Sequence, residues 1–98
     1  MASPPTAAYC ANDRLAMRIV DAIRRCGLDV PGDFSIVGID NDPRAEAYGL
    51  TTVPVPVEAV GRAGLRALFD MMDGAPLEDC RVHVPVESLI IRSSTRRL

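Results

Sequence analysis

Apolar residues along the chain change period several times, and each change marks an element. Thr6–Cys10 is a short apolar run that fits an interior strand. After Ala11-Asn12-Asp13 the spacing becomes helical. Leu15, Ala16, Ile19, Val20 and Ile23 share one face, with Arg14, Arg18, Asp21 and Arg25 off it. Asn12 and Asp13 are good capping residues, because a short side-chain oxygen accepts an orphan amide proton of the first helical turn. Arg24 and Arg25 suit the last turn and Gly27 suits the left-handed stop, so the pattern predicts a helix to about Cys26.

Leu28–Asp33, containing Pro31-Gly32-Asp33, reads as a connector. Ser35-Ile36-Val37-Gly38-Ile39-Asp40 then predicts a strand buried on both faces, with a carboxylate at its C-terminal end. Strand, helix and strand have the length of a right-handed βαβ crossover. Pro43–Gly49 leaves room for a short helix only, and Leu50–Val53 predicts another strand. Pro54 and Pro56 interrupt pairing and read as a crossing segment. Val57, Val60, Gly61, Gly64, Leu65, Leu68 and Met72, with Phe69 beside them, predict a second amphipathic helix ended by Gly74 and Pro76. Its two glycines suggest close packing against another backbone. Val82, Val84 and Val86 alternate as in a strand, Leu89-Ile90-Ile91 is a last buried run, and Arg92–Leu98 is a polar tail. The pattern is α/β with a mainly parallel sheet.

Ninety-eight residues make one domain or part of one, and a chain this short buries only about two-thirds of its unfolded surface. Hydrophobic content of 48% and charged content of 24% fit a soluble globular chain. The net charge of -2 argues against a basic nucleic-acid-binding face. No apolar run reaches the roughly 20 residues of a membrane helix, and Met-Ala-Ser-Pro-Pro has no secretory pattern, so a cytoplasmic location is expected. Cys10, Cys26 and Cys80 are widely spaced and His83 is the one histidine, so no metal site and no cofactor are expected; the thiols read as small buried hydrophobes. No nucleophile–base pair stands out, so catalysis is not expected. Asp40 and Asp42 are the nearest thing to paired carboxylates. In parallel α/β sheets ligands bind outside the carboxyl ends of the strands, where Asp40 stands.

Five segments, in order, carry a resemblance: Thr6-Ala-Ala-Tyr-Cys-Ala-Asn-Asp13 with Leu15-Ala16, Gly27-Leu-Asp-Val-Pro-Gly-Asp33, Ser35-Ile-Val-Gly-Ile-Asp40, Leu50-Thr-Thr-Val53, and Leu89-Ile-Ile-Arg-Ser-Ser-Thr95. From about Pro5 to Thr95 the chain resembles the C-terminal part of the effector-binding domain of the lactose/galactose repressor (LacI/GalR) family, bacterial transcription regulators with a periplasmic-binding-protein-like domain. The resemblance implies a partial three-layer sandwich, the C-terminal lobe of a type I periplasmic-binding-protein-like fold, over residues 1–98. It implies that residues 54–80 form a crossover helix that packs on an N-terminal lobe not seen in this chain. It also implies a small-molecule effector, a carbohydrate or purine, contacted by Asn12 and Asp40, with Asp13 secondary. An amide that donates and accepts beside a carboxylate that takes two hydroxyl protons suits a vicinal diol or a purine edge. Asn12 also reads as a plain helix cap, and Asp40 as a strand-end turn residue.

Two departures from the family pattern stand out. Val55 occupies the place of a Gln that often contacts or supports the effector, and Gly49 replaces a Pro. DNA binding is implied only through a helix-turn-helix domain that nothing before Thr6 resembles. Without its partner lobe, the helix would expose Leu65, Leu68, Phe69 and Met72, and the Thr6–Cys10 strand would have an open edge. A homodimer is therefore expected. The alternative function is a truncated self-associating module with neither ligand nor DNA activity.

Overall fold

The first helix forms where the Asn12 side chain and a run of helix-forming residues coincide. In a computed structural model describing residues 3–98, Asn12 Oδ1 accepts the Leu15 N–H at 2.8 Å and opens α1, Asp13–Arg25. Gly27, at φ +78°, takes the left-handed turn beyond its end. The inward stripe is Asp13, Ala16, Met17 and Val20, with Ile19 and Ile23 packed beside it. Leu15, expected on that face, is exposed. Met17 takes the interior place, on the i, i+3, i+4, i+7 stripe it shares with Asp13, Ala16 and Val20.

The chain divides into two compact units. The first runs to Val55 and resumes at Ser88–Leu98; the second is Pro56–Glu87. In the first, β1 (Ala7–Tyr9), β2 (Ser35–Asp40) and β3 (Thr51–Pro54) form a parallel sheet in the order β1-β2-β3. Ala7 pairs with Ser35, Val37 with Thr51, and Asp40 with Pro54. The fold is thus α/β with a parallel sheet, as the alternation of periods predicts. Cys10, Ala16, Met17, Val20, Val30, Ile36, Ala45 and Leu50 make the core.

Some elements form differently from the sequence pattern. The Thr6–Cys10 run does not form an interior strand: β1 is an edge strand whose three residues are all exposed. Pro43–Gly49 is a series of turns, closed by Leu50 N–H to Ala45 O at 2.9 Å, with no helix. Leu89 and Ile91 are exposed; Ile90 alone bridges, antiparallel, to Thr52. The polar tail is firmly tied. Ser94 Oγ donates to Ile36 O at 2.6 Å and accepts the Thr51 N–H at 2.8 Å, and Arg96 donates to Pro31 O and Gly32 O at 3.0 and 2.9 Å. The thiols are not uniformly interior: Cys10 is buried, Cys80 is partly buried and Cys26 is exposed.

The second unit holds α2, Val57–Met72, and a 3-10 turn at Leu77–Cys80. Gly74, at φ +96°, follows the helix end. No residue of α2 is buried, and a Cβ at Gly61 or Gly64 would meet nothing within 4 Å. Val82, Val84 and Val86 form no strand, since Pro85 lacks a ladder donor and no neighbour offers a register.

Candidate functional site

Parallel strands deliver their loops to one end of the sheet, so the residues after β1 and β2 gather there. Asn12 ends the β1–α1 loop and Asp40 ends β2. The two loops are joined through Asp13. Its carboxylate is fully buried, and Oδ2 accepts the Asp42 N–H at 2.7 Å while Oδ1 accepts the Thr52 hydroxyl at 2.6 Å. Burying a charge is costly unless it is fully hydrogen-bonded, and position one of α1 adds a favourable helix dipole. Gly38, paired with Thr52 across the ladder, makes the approach possible: a Cβ there would collide with Asp13 Oδ1.

Thr52 Oγ1 also accepts the Asn41 N–H at 3.3 Å. Asn41 Oδ1 accepts from Arg92 Nη2 at 3.1 Å, and Arg92 Nη1 donates to Leu50 O at 2.9 Å. Asp42 is clasped by Arg44, through the backbone N–H at 2.8 Å, Nε at 3.0 Å and Nη2 at 3.1 Å. Those bonds hold its carboxyl down from the ordinary 3.8 to about 2, with the charges of Arg44 and Arg14 helping. Burial pushes the Cys10 thiol up.

Asp40 differs from its neighbours. It is exposed, and among the described residues its carboxylate takes part in no hydrogen bond. Its backbone lies at φ +119° and Asn41 follows at +58°. Asn tolerates the left-handed region; at Asp40 the conformation is strained, a state that survives only where the surroundings over-determine it. Asn12 is half-buried, serves as the cap, and borders an open depression of about 310 Å³ with Arg14, Leu15 and Arg18. The structure therefore brings Asn12, Asp13 and Asp40 to one end of the sheet, with Asp13 turned inward and Asp40 outward. Val55, in the same unit, is half-buried and offers no polar group. Leu65, Leu68, Phe69 and Met72 are exposed along α2, in the other unit.

Sequence pattern alone does not point to Thr52, Asn41 or Arg92. Two consecutive threonines in an otherwise apolar buried strand are the available signal, since an interior hydroxyl needs a partner. Among the described residues no group of three or more His, Cys, Asp or Glu is placed to hold a metal ion, and no helix is long and apolar enough to cross a membrane.

Residues 1–95 match the family described as the periplasmic binding protein-like domain. The chain is 40% identical over 92 residues to the HTH-type transcriptional regulator MalR of Streptomyces coelicolor, covering 92% of this chain and 26% of that protein. It thus spans about a quarter of that relative's length. Among solved structures, the transcription regulator CcpA of Lactococcus lactis superposes with a TM-score of 0.80 at 29% identity, over 93% of this chain and 34% of that one. A LacI family transcriptional regulator from Enterococcus faecium with bound ribose gives 0.77 at 27% identity, over 99% and 37%. These relatives are transcription regulators, not enzymes. The chain therefore belongs to the periplasmic binding protein-like domain family, in the form carried by the effector-binding domains of LacI-family transcriptional regulators.

Proposed function

We propose that this chain is the C-terminal lobe of an effector-binding domain in a bacterial transcription regulator, and that Asp40 and Asn12 contact a small hydroxyl-bearing effector, a carbohydrate or the ribosyl or purine part of a nucleoside. The observation that carries this reading is the state of Asp40. Its carboxylate is uncommitted and exposed at a strained φ of +119°, while the residues after it are tied down. A free carboxylate on a fixed backbone accepts two hydroxyl protons without first giving up an internal partner. The ribose-bound relative supports a sugar as the first probe. Asp13 supports the site from inside and is not itself a contact. Val55, just after β3, offers an effector no polar group. Contact with DNA falls to a separate helix-turn-helix domain, and the working compartment is the cytoplasm.

The test is a titration of the chain with ribose followed by amide chemical shifts, repeated in Asp40→Ala. One lobe alone binds weakly, so the expected result is millimolar affinity, with shifts confined to the residues around Asn12 and Asp40 and lost in the variant. Shifts elsewhere, or binding indifferent to Asp40→Ala, would sink the assignment.

A second reading concerns assembly. The exposed stripe of Leu65, Leu68, Phe69 and Met72 on α2 and the one-sided pairing of β1 favour a homodimer. If ribose and related sugars fail, a self-associating module with no ligand becomes the better description. Light scattering over a concentration series decides it: a monodisperse monomer at tens of micromolar contradicts a homodimer.

A further inference from the structure

We infer that Thr52 is a positioning residue for the effector site: its hydroxyl, anchored on the buried Asp13 carboxylate, holds the left-handed Asp40–Asn41 turn that presents the Asp40 carboxylate. The inference rests on the reading of Asp40 as an effector contact and deepens it by naming what keeps that contact in place.

The geometry is a two-point clamp. Thr52 is completely buried on β3, and its Oγ1 donates to Asp13 Oδ1 at 2.6 Å and accepts the Asn41 N–H at 3.3 Å. The other oxygen of Asp13 accepts the next amide, Asp42 N–H, at 2.7 Å. Two successive amides after Asp40 are thus drawn toward one carboxylate–hydroxyl pair. A strand continuing past Asp40 in the ordinary β region would aim those amides elsewhere. The positive φ values at Asp40 and Asn41 follow from turning both inward. Charge assistance matters here. A hydroxyl donating to a buried carboxylate makes a strong bond, and its oxygen becomes a better acceptor for Asn41.

Thr52 rather than Asp13 decides the presentation. Asp13 is needed for burial and would be missed by the whole fold. Among the described residues the Thr52 hydroxyl hydrogen-bonds only Asp13 and the Asn41 amide. The β-branched side chain has few rotamers, so the hydroxyl is aimed before any effector arrives. The second hold on Asn41, from Arg92 to its Oδ1 at 3.1 Å, restrains its side chain and leaves the backbone turn to Thr52.

The experiment compares Thr52→Val, which keeps the shape and removes the hydroxyl, with Thr52→Ser, which keeps the hydroxyl. Three-bond HN–Hα couplings read φ at Asp40 and Asn41, and amide exchange reads the two clamped N–H groups. In Thr52→Val the couplings should move toward ordinary negative φ, exchange at Asn41 and Asp42 should accelerate, and the ribose titration midpoint should rise about tenfold or more. Thr52→Ser should restore all three. A purely structural role would lower stability in Thr52→Val while leaving the couplings as they are, and that result overturns the inference. Should Thr52→Val fail to fold, exchange in the unmodified chain decides. Protected Asn41 and Asp42 amides uphold the clamp, and amides exchanging at unstructured rates refute it. If no form binds ribose, the effector reading fails by itself, while couplings and exchange still show whether Thr52 holds the turn.

Discussion

The carboxylate of Asp13 lies 2.6 Å from the hydroxyl of Thr52, 39 residues along the chain, and neither is reached by solvent. The pair ties the start of α1 to β3 across the empty side of Gly38, and the Asn41 and Asp42 amides both run into it. Removing Asp13 strands the Thr52 hydroxyl and the Asp42 amide. A buried unpaired group costs about 1–3 kcal/mol. Asp13→Ala should therefore destabilise the chain by about 2–6 kcal/mol from the two groups together, measured as a shift in urea midpoint without a change in slope.

Gly38 offers an independent check of the same contact. Its missing side chain leaves the room that Asp13 Oδ1 fills, so Gly38→Ala should cost about 1–3 kcal/mol through overpacking. In an Asp13→Ala background the same substitution should cost clearly less, because the oxygen it strikes is gone. Additive costs in the double variant would show that the two residues do not compete for that space.

Ser94 shows how the tail is fastened. Its buried hydroxyl donates to Ile36 O and accepts from Thr51 N–H, linking the C-terminal segment to two strands at once. Ser94→Ala leaves a buried amide and carbonyl short of a partner and should cost about 1–3 kcal/mol. Amide exchange should quicken at Thr51, while α1 keeps its protection.

The parts of this architecture legible in the sequence are those whose cause is local. Asn12 as a cap, the 3.6 spacing from Ala16 to Val20 and the β-branched run before Asp40 each depend on neighbours a few residues away. β1 reads as an interior strand although it lies at an edge, because a run as short and apolar as Ala7-Ala8-Tyr9 looks the same in either place. The alternation of Val82, Val84 and Val86 suggests a strand, but periodicity cannot supply the neighbouring strand a ladder needs. Thr52, Arg92 and Ser94 are silent in the sequence for the opposite reason. Their chemistry is ordinary there and becomes specific only through partners some 40 to 60 positions away. Asp40 and Asn12 are legible because the end of a parallel strand and the start of the following helix are predictable places. The strain at Asp40 is not, since it comes from the Thr52–Asp13 clamp.

Asn12 has a cap role separable from any ligand. Asn12→Asp keeps an oxygen for the Leu15 N–H, whereas Asn12→Ala removes it and should cost about 1 kcal/mol of stability. If Asn12 also contacts the effector through its amide donor, Asn12→Asp should preserve the thermal midpoint and weaken ribose binding. Equal binding in Asn12→Asp would reduce Asn12 to a cap.

The clasp between Asp42 and Arg44 predicts how the site responds to acid. Arg44 holds the Asp42 carboxyl at about 2, below its ordinary 3.8, so the folded state favours the ionised form. A carboxyl depressed on folding contributes stability that is fully present above its unfolded value and is lost as pH falls toward the folded one. The contribution should therefore be complete at about pH 5 and fade between about 4 and 2. Because the pair is solvent-exposed, the effect on global stability is small and screened by salt. The sharper readout is the Asp42 side-chain carbonyl shift, which should titrate near 2 in the native chain and return toward 3.8 in Arg44→Gln. An Asp42 that titrates at its ordinary value in the native chain would mean that Arg44 does not hold it in solution, and the turn after Asp40 would then rest on Asp13 and Thr52 alone.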